Sequence, residues 1–126
     1  ECMNAVLYKL NYINSDKRII SCDSGSKEVD VSKIIYIESS GHKVTYHIYG
    51  KEFGGYVVKS KLDDIENELK EYKYLLRVHQ SYIVNMMYVN NISSYRVYLK
   101  NGIDLGVPKS RYKEVKKRIL EFKENN

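Results

Sequence analysis

Apolar and polar residues alternate in short runs along most of this 126-residue chain, and three stretches break the alternation with a helical spacing. Val44, Tyr46 and Ile48 alternate with Thr45, His47 and Tyr49, a period of two that predicts a half-buried strand. Ile34-Ile35-Tyr36-Ile37 is β-branched and aromatic and predicts another. Upstream, Arg18 to Cys22 reads as a short strand, Asp23-Ser24-Gly25-Ser26 as a turn, and Val29 and Val31 alternate with polar neighbours. Glu38 to Lys43 interrupts the pattern as a loop, and Gly50-Lys51 and Gly54-Gly55 mark bends before Tyr56-Val57-Val58. Further on, Val89 and Ile92 precede the clearest hairpin. There Arg96-Val97-Tyr98-Leu99 and the segment Ile103 to Val107 flank Asn101-Gly102. Asn-Gly supplies the positive φ angles of a type I′ turn, which would set Val97 and Leu99 against Ile103, Leu105 and Val107. Pro108, the only proline, ends the strand because it has no N–H for the ladder.

The helical spacings come at the start, middle and end. Met3, Val6, Leu7, Leu10 and Ile13 share one face, on a segment too short to be stable without packing on something else. Ser60, with Asp63 three residues later, predicts a capping box ahead of a face made of Leu62, Ile65, Leu69 and Tyr72. Acidic residues fill the opposite face, so this helix is expected to cover a sheet. Ser110 is placed to cap a last helix whose buried stripe is Tyr112, Val115, Ile119 and Phe122.

Composition narrows the class. The length suits one domain with one ordinary core. The 13 tyrosines against two Phe and no Trp favour strands. No apolar run approaches the roughly 18 residues of a membrane span, and no signal peptide is visible. Cys2 and Cys22 form no C-x-x-C pair, which favours a reducing, cytoplasmic setting. The chain opens on Glu1 rather than Met, which points to a piece of a longer protein. The net charge of +5 is uneven: residues 77–126 hold 10 Lys/Arg against 4 Asp/Glu, whereas residues 1–76 hold 11 against 12. A basic half of this kind suits a polyanion partner, or is a solvated surface.

Signals for catalysis are missing. His42 and His47 fall on opposite faces of any strand running through both, His79 is distant, and no H-E-x-x-H occurs, so no metal and no cofactor are expected. Neither a nucleophile–base arrangement nor a phosphate-cradling glycine loop can be argued from the spacings. Three polar patches remain: Ser39 to Lys43, Arg77 to Ser81, and Lys109-Ser110-Arg111. Each adjoins a strong apolar element that would hold it in place, and together they favour binding over catalysis.

Arg77-Val78-His79-Gln80-Ser81-Tyr82-Ile83-Val84-Asn85 resembles the R-x-H-x-S-[YF]-[IV]-V-N signature of the LytTR family, a DNA-binding domain of bacterial transcription regulators. Tyr36-Ile37-Glu38 with Gly41-His42-Lys43-Val44 is similar to that family's opening motif and loop. Leu62 to Leu69 looks like its acidic helix, and Asn101-Gly102 with Val107-Pro108-Lys109-Ser110-Arg111-Tyr112 like its closing segment. The likeness runs from about Ile34 to Val115. Its closing segment reads Val-Pro where many members have Pro-Val-Ser, which leaves the register at Lys109 and Arg111 open.

The resemblance implies an elongated, mainly β antiparallel multi-sheet domain of about ten strands with two or three short helices. It places loop side chains in successive major grooves of double-stranded DNA. By that match His42, Gln80 and either Lys109 or Arg111 read bases, and Lys43, Arg77 and Ser81 lie nearer the backbone or support the loops. His79 and Asn85 are expected as structural support of the loop. Residues 16–126 would be the DNA-binding domain and residues 1–15 a linker helix from an N-terminal receiver domain. The implied partners are that receiver, a cognate histidine kinase and RNA polymerase, with the domain monomeric alone and paired on repeated sites. A single-stranded nucleic-acid binder using tyrosines as stacking platforms, and a protein-interaction module, are the alternatives.

Overall fold

A computed structural model describes residues 17–22, 25–50 and 55–124. In chain order these form β1 (Lys17–Cys22), β2 (Gly25–Asp30), β3 (Ile34–Ser40), β4 (Lys43–Ile48), β5 (Tyr56–Lys59), α1 (Leu62–Glu68), β6 (Leu75–His79) and β7 (Tyr82–Asn85). They continue with β8 (Val89–Ser93), β9 (Arg96–Leu99), β10 (Asp104–Gly106) and α2 (Lys109–Glu124). The fold is mainly β, with ten strands in three antiparallel sheets and two helices among the described residues. The central sheet has the order β5-β4-β3-β7-β6, and the β1-β2 hairpin and the β10-β9-β8 sheet complete the set. The segment Met3 to Ile13, with its helical spacing, lies outside the described residues.

Ile34-Ile35-Tyr36-Ile37 is buried at all four positions because both faces of the central sheet are covered. A register shift between Ile34 and Tyr36 breaks the simple alternation. It sends Ile35 and Tyr36 together into a core with Val78, Val84, Val97, Leu99, Val115 and Ile119, under the three-stranded sheet and α2. Ile34 and Ile37 enter the other core with Val44, Tyr46, Leu62, Ile65, Leu69 and Ile83, under α1 and the β1-β2 hairpin. The stripes read from the two described helices are the buried ones, with Tyr112 and Phe122 half-buried.

Local chemistry differs from expectation at several turns. The Glu38–Lys43 loop shrinks to Gly41-His42: β3 runs on to Ser40, which pairs with Lys43, and Gly41 supplies φ +62° at the first turn position. At Asn101-Gly102 only Gly102 has positive φ, so the turn is not type I′; Asn101 Oδ1 instead accepts from the Ile103 N–H. Ile103 consequently sits in the loop, partly exposed, and not opposite Val97. The turn with two positive φ angles is Ser94-Tyr95, between β8 and β9. The Ser60 capping box does not form: Lys61 occupies the N-cap of α1 and no side chain caps it. Ser110 lies inside α2, whose first bonds run to the Pro108 carbonyl from the Arg111 and Tyr112 N–H groups.

Asn85 is the one fully buried polar residue among those described. Its Nδ2 donates to the Ile34 and Ser32 carbonyls, at 2.8 and 3.1 Å, and its Oδ1 accepts from the Met87 N–H. These bonds fasten the start of β3 to the end of β7. Asn85, expected as support of the loop, stands at the opposite end of β7 from the Gln80-Ser81 turn, and these side-chain bonds go to Ser32, Ile34 and Met87.

Candidate nucleic-acid interface

Antiparallel pairing brings two of the three polar patches together. The end of β3 pairs with the start of β7, Glu38 opposite Tyr82, and the Ser39 N–H donates to the Ser81 carbonyl at 2.9 Å. The Gly41-His42 turn and the Gln80-Ser81 turn therefore stand side by side at one end of the central sheet. His42 and Gln80 are both exposed there, and Ser81 is half-buried.

The Gln80-Ser81 turn is held by side chains. A two-residue hairpin normally uses positive φ, yet neither Gln80 nor Ser81 has it. A register shift lies between Arg77 and His79, and Arg77 spans the distortion. Its Nε donates to the His79 carbonyl at 2.8 Å and its Nη2 to the Gln80 carbonyl at 2.5 Å. Its Nη1 meets Asp63 at 2.9 Å and Glu66 at 2.8 Å, both on α1. The Arg77 side chain is 9% exposed and all three guanidinium nitrogens are used. His79 contributes from the other side: its Nδ1 accepts from the Ser81 N–H at 2.9 Å, and its ring lies 5.2 Å from that of Tyr82.

Two lysines missed by the sequence reading, Lys59 and Lys61, join Lys43 at the same end. Lys43 pairs directly with Lys59 across β4 and β5, and both are exposed. The Ser60 N–H donates to the His42 carbonyl, which ties the β5–α1 connection to the first turn. Lys61 then shares a shallow groove with Ser39, Gly41, Asp63, Arg77 and Gln80. Like charges directly opposite on a sheet repel, and an anion between them relieves the repulsion. Nothing local in the sequence marks Lys59 or Lys61, because their place depends on the β4–β5 register.

The third patch opens α2. Lys109 and Arg111 are both exposed. Lys109 Nζ sits 5.9 Å over the Tyr95 ring, which itself packs 4.5 Å from Tyr112. Arg111 lines a groove with Arg77, Glu66 and Arg118. The first turn of α2 has no acidic residue, so its cations face the positive end of the helix dipole. Seven of the ten Lys/Arg in residues 77–126 belong to α2, so the basic half of the sequence is chiefly this helix.

The remaining histidine is spoken for. His47 stacks on Tyr36 at 4.1 Å, and its Nε2 is 2.9 Å from Glu38 Oε1. No group of three or more His, Cys, Asp or Glu side chains suited to a metal occurs among the described residues. No helix among them is long and apolar enough to cross a membrane.

Two exposed turns side by side on a β scaffold, flanked by lysines, make a surface suited to a polyanion. The chain belongs to the LytTR family: residues 24–120 match the family described as LytTr DNA-binding domain. In structure it is similar to a LytTr DNA-binding domain from Bacillus cereus, described as part of a methyl-accepting/DNA response regulator. The two are 23% identical with a TM-score of 0.64, over 83% of this chain and 96% of that one. That likeness concerns the fold. No protein of curated function matches the sequence.

Proposed function

We propose that this domain binds double-stranded DNA sequence-specifically, as the effector part of a bacterial two-component response regulator acting on transcription in the cytoplasm. The observation that carries this reading is the pair of adjacent turns presenting His42 and Gln80, bordered by Lys43, Lys59 and Lys61. Imidazole and carboxamide groups suit base edges in a major groove, and ammonium groups suit the phosphates beside them. Ser81 lies close to the backbone in this arrangement, Arg77 and His79 hold the loop, and the first turn of α2 supplies a further contact through Lys109 or Arg111. The domain works without catalysis. Family membership and the response-regulator neighbour support an upstream receiver domain, joined through residues 1–15 and phosphorylated by a cognate histidine kinase, with RNA polymerase as the downstream partner.

Tyrosine stacking on single strands has less support. The exposed tyrosines among the described residues are Tyr49 and Tyr95, and Tyr49 lies at the far end of β4 from the turns. Fluorescence anisotropy with duplex and single-stranded probes over a salt series tests the proposal. With about five phosphates neutralised, the log–log slope on duplex should lie near −4 to −5. A flat salt response, or tighter binding to single strands, overturns duplex recognition.

A further inference from the structure

We infer that Asp63 and Glu66, the carboxylates of α1 nearest the turns, are positioning residues for base readout. They act by aiming Arg77 and, through it, the carbonyls of the Gln80 turn. The inference rests on the reading that this turn faces DNA.

Three observations converge. First, the turn lacks the positive φ angles that hold a two-residue hairpin without help, so its shape depends on the Arg77 bonds to the His79 and Gln80 carbonyls. Secondly, a planar guanidinium has a fixed fork of donors, so fixing Nη1 on one side fixes the direction of Nε and Nη2. Asp63 and Glu66 both hold Nη1, at 2.9 and 2.8 Å. Thirdly, these carboxylates are in the wrong place for any other role on a DNA-facing surface. Asp63 is 84% exposed and borders the groove that includes Gly41 and Gln80. A free carboxylate there repels phosphate at a range well within a Debye length. The carboxylates themselves stay in water, at 84% and 50% exposed, while the Arg77 side chain they hold is 9% exposed, so the pairs fix a guanidinium that has little solvent of its own. What remains is orientation: α1 is the fixed post, Arg77 the strut and Gln80 the pointer.

The role makes an unusual prediction, because charge and orientation pull in opposite directions. Asp63→Asn and Glu66→Gln each remove negative charge from the surface. If the carboxylates only repelled phosphate, both variants would bind cognate and random duplex more tightly by one common factor. As positioning residues they behave otherwise. In the double variant, affinity for the cognate site should fall by about 5- to 30-fold, while random duplex is bound as well as before or better. Asp63→Glu, which keeps the carboxylate, should retain most of the discrimination, a readout that a loss of stability alone does not move.

A DNA-free measurement separates the two levels. Amide exchange at Ser81 and Ser39, whose N–H groups bond within and beside the turn, should accelerate in the double variant while β7 stays protected. Accelerated exchange in a protein whose parent binds no DNA refutes the DNA reading and leaves the strut standing. Unchanged exchange together with an unchanged cognate-to-random ratio overturns the inference, whatever the domain binds.

Discussion

Single side chains divide into those that the proposed function aims at DNA and those buried away from it. His42→Ala and Gln80→Ala should each lose about 1–3 kcal/mol on a cognate site and far less on random duplex, since base contacts discriminate. Lys43→Ala and Lys59→Ala should weaken both DNAs alike and make the salt slope shallower. Competition binding on the four variants decides the assignment, and equal discrimination by the His42 and Gln80 variants sinks it. Tyr46 is a residue of the second kind. Its burial pushes the hydroxyl pKa well above the ordinary 10.0, and Glu68 adds to the rise. The folded chain therefore keeps a proton that the unfolded chain gives up. This contribution is whole below about pH 10 and is lost as pH climbs above it. Tyr46→Phe should remove part of the alkaline loss of stability, seen by comparing urea melts near pH 8 and near pH 11. An identical alkaline loss in both proteins would rule this out.

Among the elements, the β8–β9 turn places Ser94 at φ +53° and Tyr95 at φ +63°. Left-handed backbone costs an ordinary residue roughly 1–2 kcal/mol. A glycine is relieved of that cost but loses about 0.5–1 kcal/mol of chain freedom on folding. Relief exceeds loss, so Ser94→Gly should raise stability by up to about 1 kcal/mol, read from thermal melts. At Tyr95 the same change should bring no such gain, because it strips the ring from Tyr112 and Lys109. This turn was illegible in the sequence: Ser-Tyr carries no turn signal, whereas Asn101-Gly102 carries one and folds differently. Burial imposes a period, so β4 and the stripes of both described helices could be read from spacing alone. The β3 register shift hides in a run where every residue is apolar. The Gly41-His42 and Gln80-Ser81 turns were legible as polar interruptions of apolar strands. Their neighbours Lys59, Lys61 and Asp63 were not, because pairing between distant segments puts them there.

For the whole molecule, one such domain covers little sequence, so paired occupancy of repeated sites is the expected mode. Two copies should favour repeats about one helical turn, roughly 10 bp, apart. Inserting about 5 bp turns the second site to the opposite face and should weaken paired occupancy in a footprint. Unchanged pairing after that insertion argues for independent binding. A different consequence follows from the way β3 and β7 divide their side chains. Tyr36 and Val84 belong to the core under α2, and Ile37 and Ile83 to the core under α1. The strands are paired, Tyr36 with Val84 and Ile37 with Ile83, so each half-core is built on the same two backbones. Neither half can melt and leave the other a floor. Native-state hydrogen exchange should find the β3 and β7 amides opening last and together, at the free energy of global unfolding, whereas the β1-β2 hairpin opens earlier. Should one half-core exchange well below the other, the shared floor does not bind them into a single cooperative unit.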